Sequence, residues 1–371
     1  MKITISKEDL EQGVQTIQSA LSNRTTLPIL LNFLLETEDK KVKVVSTDLE
    51  MGVKHYIKAE IENDGSITIP AKKFADILHS LSGVDDIELS VDNGGKISLK
   101  SGRSRFGIVG SPKSEYPVLP DFNKSNAFEV SAGVIGQMVK KTIFAASSDE
   151  TRHVLNGVFW AAKKGLLEMV STDGRRLAVY AKKILPIDKE FSVIVPTKVL
   201  TELLRLIGIL GVEGDAEKML VSVTDNQITF QLKKTTILSR LVGGAFPNYE
   251  QVIPTKREVV FVAGTKDFLA VTKRASLCAL DRGGSVRYSL KKNILHVTAS
   301  SQNNEFNEDL GVEYSGPDFS VAFNPQFVVD ALKHIDSEKV TVAMTSPVNP
   351  AIFEPGDSGE GYKFVVMPMR L

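Results

Sequence analysis

The residues able to do covalent or metal chemistry are few and scattered in this 371-residue chain. Five histidines, His55, His79, His153, His296 and His334, include no pair at metal-ligand spacing. An isolated histidine on a helix or strand is ordinarily structural. The single cysteine, Cys278, excludes an internal disulfide and a cysteine-rich zinc site, which suits a reducing cytosol. No Gly-x-x-x-x-Gly-Lys-Ser/Thr, Gly-x-Gly-x-x-Gly or Gly-x-Ser-x-Gly string occurs, so nucleotide cradles and a nucleophile elbow lack their signatures. Two carboxylates stand out by position: Asp48 in Val45-Ser46-Thr47-Asp48, and Asp173 in Val170-Ser171-Thr172-Asp173. At matching points of a repeat, they point to a shared turn or hydrogen-bond role and not to paired catalysis. These observations favour a binding or scaffolding protein over an enzyme, with no cofactor and no metal.

The repeat that carries the two aspartates has a period of 125 positions and organises the chain. Ile67-Thr68-Ile69-Pro70 leads into an apolar helical pattern, as do Val193-Ile194-Val195-Pro196 and Val321-Ala322-Phe323-Asn324-Pro325. Glu115-Tyr116-Pro117, Phe246-Pro247-Asn248-Tyr249 and Val366-Met367-Pro368 close the blocks. Three domains follow, 1–127, 128–254 and 255–371. Inside each, a short apolar strand feeds a helix twice, near Ile3, Ile67, Glu129, Ile194, Phe261 and Ala322. Runs such as Lys41-Val42-Lys43-Val44-Val45 and Ile87-Glu88-Leu89-Ser90-Val91 alternate with the two-residue period of half-buried strands. The expected fold is α+β, a strand-helix-strand-strand-strand unit used six times. Phe74, Ile77, Leu78 and Leu81 make a single apolar stripe, so that helix covers a sheet with one face and leaves the other free. Without a Pro/Ser-rich linker, the domains are expected to abut.

Charge sets a second constraint. Lys+Arg and Asp+Glu both number 45, so a nucleic-acid role cannot rest on overall basicity. The helices nevertheless lean positive, with Lys72 and Lys73, Lys140 and Lys141, Lys198 and Arg205, and Lys266, Lys273 and Arg274. Such charge is ordinarily a solvated face; gathered on one surface, it meets phosphates without reading bases. The N-terminus reads straight into a strand with no signal-peptide run. The most apolar stretch, Leu27 to Leu35, carries Asn32 and is about half of the ~20 residues that a bilayer needs. No membrane association is expected.

In order along the chain, Leu27-Pro28-Ile29-Leu30, Ser46-Thr47-Asp48-Leu49-Glu50-Met51, Ser101-Gly102-Arg103-Ser104-Arg105-Phe106, Leu155-Asn156-Gly157, Thr172-Asp173-Gly174-Arg175-Arg176-Leu177-Ala178 and Val365-Val366-Met367-Pro368-Met369-Arg370-Leu371 closely resemble the bacterial replicative sliding clamps, the β subunit of DNA polymerase III. The match runs from the first residue to the last. It implies three similar clamp domains per chain and a head-to-tail homodimeric ring, with short helices around a central hole and sheets outside. Such a ring encircles duplex DNA without sequence preference and makes the replicative polymerase catalytic subunit processive. The clamp loader, other polymerases and repair proteins are the further partners implied, and the location is cytoplasmic, on the nucleoid.

The resemblance also carries site residues onto this chain. A groove for linear peptides maps to Leu155, Thr172, Gly174, Arg175, Arg176, Leu177, Pro247, Val252, Val365, Val366, Met367, Pro368, Met369 and Arg370. The two methionines suit partners of differing sequence, the leucines and valines suit aliphatic or aromatic anchors, and Arg176 and Arg370 suit peptide polar groups. DNA contacts map to Arg24, Lys72, Arg152, His153 and Lys198. The ring interface maps to Phe106 and Ile108 against Ser276 and Leu277, with Arg103 and Arg105 facing Glu305 and Glu308. Three departures from the family pattern alter the rim: Arg175 stands where a histidine is common, Gln251 where an arginine is frequent, and His153-Val154 where the best-known members carry two tyrosines. Two other readings remain open on the residues alone: a repeat scaffold that binds peptides without encircling DNA, and an enzyme with an interdomain cleft.

Overall fold

Alternating strands, in a unit that feeds one helix and is repeated six times, generate the architecture. The computed structural model describes residues 1–22, 25–83, 86–124, 127–184, 190–212, 214–279, 284–356 and 361–370. Strand Lys2–Ile5 feeds α1 (Lys7–Ile17), whose first turn is capped by Ser6 accepting from the Asp9 amide at 3.2 Å. Strand Ser66–Pro70 feeds α2 (Ala71–Ser80), with Phe74, Ile77 and Leu78 buried. Ala127–Ser131 feeds α3 (Ala132–Lys140), Phe191–Pro196 feeds α4 (Thr197–Ile209), and Val259–Gly264 feeds α5 (Thr265–Ala279). Phe319–Phe323 feeds α6 (Pro325–Lys333), where Asn324 accepts from the Gln326 amide at 2.9 Å and Pro325 presets the first helical φ. Three strands follow each helix, so the strand-helix-strand-strand-strand unit read from the sequence recurs six times. An additional short strand, Glu60–Asn63, pairs with Lys2–Ile5.

The chain forms two compact units. The first comprises Met1–Gly136 and Lys198–Leu241. It contains a five-stranded sheet, in which Lys2–Ile5 and Ile87–Val91 lead out to an edge at Ser104–Val109, and an eight-stranded sheet. The eight-stranded sheet is two four-stranded halves joined by antiparallel pairing of Met51–Lys58 with Thr235–Arg240, in which Val53 faces Ile237. The second unit comprises Gln137–Thr197 and Val242–Leu371. Its eight-stranded sheet is joined in the same way by Arg176–Lys183 and Tyr362–Val366, in which Ala178 faces Phe364. Its four-stranded sheet ends at the edge strand Glu305–Gly311.

Polar residues at the first unit's join are deliberate and well satisfied. Arg205 of α4 donates to the Gln15 and Thr16 carbonyls of α1 at 3.1 and 2.8 Å while pairing with buried Glu202 at 2.6 Å. It closes one helix end with another helix's side chain and so does not belong to a free positive face, contrary to the sequence reading. The same correction holds for Lys141. It is buried, pairs with Asp336 at 2.9 Å and lies over the rings of Tyr180 and Tyr362 at 5.3 and 5.4 Å.

His55 sits in the join itself, buried, with Nδ1 2.8 Å from Thr235 Oγ1. Burial, aided by Lys234, holds its pKa down at about 4 against an ordinary 6.5. Between those values the unfolded chain binds the proton and the folded chain does not, so stability is full above pH 6.5 and falls as pH drops toward 4. Urea unfolding followed from pH 7.5 to 4.5 should show a midpoint that declines below about pH 6.5, and His55→Gln should flatten that part of the decline; an unchanged slope would remove His55 as its source.

Candidate peptide groove and charged surfaces

A concavity of the second unit is built on a tight turn. Thr172 Oγ1 accepts from the Gly174 amide at 3.0 Å and donates to the Arg176 carbonyl at 2.6 Å. Asp173 Oδ1 accepts from the Arg175 and Arg176 amides at 2.9 and 3.1 Å. Gly174 takes φ 87°, the left-handed region where a side chain is strained. The matching turn in the first unit uses the same bonds: Asp48 Oδ1 accepts from Glu50 and Met51, and Thr47 Oγ1 donates to the Met51 carbonyl. The turn role read from Asp48 and Asp173 is therefore what the structure shows. Leu49, at φ 77°, stands where the second unit has glycine.

Arg176 leaves this turn and is held on three sides. Its Nε donates to Asp173 at 3.0 Å, Nη1 to Asp330 at 2.5 Å and Nη2 to the Phe144 carbonyl at 2.8 Å, and its guanidinium lies 4.8 Å from the Phe327 ring. Its head is thus committed inside the protein. The expectation that it offers free donors to a peptide is corrected: its place in the groove is wall and support. The exposed cation in the lining is Arg175; Arg370 is exposed farther along the C-terminal segment.

Around this turn the structure brings together Leu155, Thr172, Gly174, Arg175, Arg176, Leu177, Pro247, Val252, Val365 and Met367 in one mostly apolar pocket of about 160 Å³. That volume is on the scale of a cavity that takes one benzene-sized ring, about 150 Å³. It suits a single large side chain at a time. Leu177 and Val365 of this lining belong to a buried cluster that continues behind it with Val170, Val179, Ala343 and Ile352. Four expected residues do not line it. Val366 alternates to the other face of its strand and is fully buried. Pro368, Met369 and Arg370 run on beyond, where the Met369 amide donates to the Ala322 carbonyl at 2.8 Å. The Met367 amide donates to the Arg175 carbonyl at 2.9 Å, so the C-terminal segment is attached to the turn.

Two lining residues were missed, Asn248 and Tyr249. The block-ending string Phe246-Pro247-Asn248-Tyr249 was their signal. Phe246 stacks on Phe159 with centroids 5.0 Å apart, and this fixes the start of the wall. Tyr249 donates its hydroxyl to Glu168. Burial first, then the neighbouring carboxylate, pushes the phenol well above its ordinary pKa, so it stays a donor.

The residues expected at DNA differ in their freedom. Lys72 is exposed on α2, and His153 is exposed on its turn. Lys198 is exposed but paired with Asp48. Arg152 holds Asp149 at 3.2 Å and the Asp173 carbonyl at 3.2 Å. Arg24 lies outside the described residues. Of the expected interface residues, Arg103 and Arg105 are exposed beside half-buried Phe106 and buried Ile108 on or next to one edge strand. Glu305 and Glu308 lie on the other edge strand, and Leu277 of α5 is 69% exposed beside half-buried Ser276. Within the chain Glu308 already pairs with Arg274 at 2.5 Å, a partner the sequence reading did not assign. Among the described residues no cluster of three histidine, cysteine or carboxylate groups is placed to hold a metal, and no helix is long and apolar enough to cross a membrane.

Comparison with known proteins gives these features a family. Models of the N-terminal, central and C-terminal domains of the DNA polymerase III beta subunit match residues 1–120, 129–248 and 250–370. The beta sliding clamp of Haemophilus influenzae is 33% identical over 374 residues and that of Escherichia coli K12 32% identical over 373, each covering all of both chains. Among solved structures, the DNA polymerase sliding clamp of Bacillus subtilis superposes with a TM-score of 0.95 at 28% identity, covering 100% of this chain and 99% of that one. The Pseudomonas aeruginosa sliding clamp bound to griselimycin gives 0.93 at 30% identity over the whole of both chains. The chain belongs to the DNA polymerase III beta subunit family, the beta sliding clamps.

Proposed function

We propose that this DNA sliding clamp acts as a closed head-to-tail homodimer around duplex DNA, with three domains per chain dividing near residues 127 and 254. The observation that carries the reading is a pair of unpartnered sheet edges. Strand Ser104–Val109 holds the repeat position of Thr235–Arg240 and Tyr362–Val366, while Glu305–Gly311 holds that of Met51–Lys58 and Arg176–Lys183. Thr235–Arg240 pairs with Met51–Lys58, and Tyr362–Val366 with Arg176–Lys183, both antiparallel and within the chain. Ser104–Val109 and Glu305–Gly311 are edges, and an open edge invites another chain. Transferring the internal register places Phe106 of one copy opposite Phe306 of the next, as Val53 faces Ile237 and Ala178 faces Phe364. Each contact is heterologous, and two of them close a twofold ring.

A ring holds DNA by topology, so its wall requires only weak, salt-screened phosphate contacts. Lys72, Arg152, His153, Lys198 and Arg24 are proposed for these contacts, and for a neutral chain they suffice. The polymerase, the clamp loader and other replication and repair proteins are proposed to dock one at a time through linear peptides that place an apolar side chain in the 160 Å³ pocket. The chain contributes tethering and no catalysis. A peptide scaffold that never encircles DNA is the competing reading, and the free edges argue against it.

Two measurements test this reading. In a Cys278→Ser background, Phe106→Cys combined with Phe306→Cys should give a covalent dimer under mild oxidation and neither single variant should; random cross-linking or a persistent monomer would contradict the register. Deleting Met367 to Leu371 should abolish peptide binding, seen as a loss of at least about 100-fold in affinity or roughly 2.7 kcal/mol, while the dimer stays intact in sedimentation. Unchanged peptide affinity would refute the groove.

A further inference from the structure

The first unit contains the counterpart of the groove, and there it is filled by the chain itself. Tyr116 packs on Leu34 and Val45, and its hydroxyl donates to the Asn32 and Val45 carbonyls at 3.2 and 3.3 Å. The segment then lays Leu119 across Gly52. A Cβ built on Gly52 would fall 2.6 Å from Leu119 Cδ1, so this glycine is what admits the leucine. Lys54 holds the segment down through the Leu119 and Pro120 carbonyls at 3.3 and 3.0 Å and Asp121 at 3.0 Å.

In the second unit the same elements are present and the result is open. Leu177 replaces Gly52, since each pairs across its hairpin with the corresponding threonine, Thr172 or Thr47. Phe246 replaces Tyr116, packing near Val170 and on Phe159. Tyr249 replaces Leu119; its ring packs at the side of the pocket it lines, with its hydroxyl donated to Glu168 on strand Leu166–Thr172. The counterpart of Glu168 is Lys43, which is occupied with Glu36 and Glu38 at 3.0 and 3.1 Å and provides no such acceptor. One fold thus yields a self-covered strand in one unit and an accessible pocket in the other.

We propose that Tyr249 is a positioning residue whose hydrogen bond to Glu168 keeps the groove open, and that without it the Phe246–Val252 segment folds over the pocket as Tyr116–Leu119 folds over Gly52. The inference rests on the peptide reading of that groove. A charge-assisted bond is strong enough to bias such a two-state segment. Self-covering lowers the fraction of chains able to bind, so it slows association and leaves the bound complex unaltered.

The test uses the full chain and a fluorescein-labelled hexapeptide with leucine and phenylalanine anchors, followed by stopped flow. Tyr249→Phe and Glu168→Ala should each lower kon about tenfold with koff within about twofold, and Glu168→Gln, which keeps an acceptor, should restore most of the rate. Separately, Met367→Cys in a Cys278→Ser background should react with iodoacetamide several-fold more slowly once Tyr249→Phe is added. A loss confined to koff would make Tyr249 a mere contact, and an unchanged kon or unchanged alkylation would equally overturn the proposal. A wild-type chain that fails to bind the peptide would count against the groove reading, and the alkylation arm would then decide the proposal by itself.

Discussion

Everything in this molecule depends on the completion of sheet edges. A strand with one unpaired side exposes a row of amides and carbonyls, and burying or pairing that row is the constraint that antiparallel sheets must meet. The chain meets it twice by itself, joining Met51–Lys58 to Thr235–Arg240 and Arg176–Lys183 to Tyr362–Val366. The joins have matching registers and matching buried pairs, Val53 with Ile237 and Ala178 with Phe364. The edges at Ser104–Val109 and Glu305–Gly311 hold the same repeat positions and are the ones proposed to pair with a second copy. The proposed oligomer would repeat the internal join, and the groove lies at one such join: its lining includes Leu177 and Val365, directly paired residues of the second unit's central strands.

Charge follows from the same economy of design. A protein held on DNA by closure has no use for strong phosphate binding, which would oppose sliding. The equality of 45 basic and 45 acidic residues therefore fits a role in which positive charge is largely balanced within the fold. Lys198 with Asp48, Arg152 with Asp149 and Arg274 with Glu308 are cations on surface-facing elements that already carry acidic partners. Exposed pairs of this kind stabilise little and exchange partners readily.

Local patterns were legible in the sequence, and long-range pairings were not. The six strand-helix units follow from apolar alternation and from the repeated strings that lead into each helix, which act over a few positions, and the turn role of Asp48 and Asp173 follows from their repetition. Lys141 was read as a surface charge because its partner Asp336 and its aromatic neighbours Tyr180 and Tyr362 are remote in sequence. Arg176 and Arg205 were misjudged for the same reason: their partners, Asp330 and the α1 carbonyls, are set by packing alone. The string Phe246-Pro247-Asn248-Tyr249 marks the block end but not the role of Tyr249, since its hydrogen bond reaches back to Glu168 and no spacing signals that.

The central claim is that the chain stays on DNA because it surrounds it. The most direct measurement is the retention of the dimer on a closed circular duplex before and after a single cut by a restriction enzyme, at moderate salt. The account predicts stable retention on the circle and rapid loss from the linear product. Equal retention on both would contradict it, because contact and not closure would then be holding the protein to DNA.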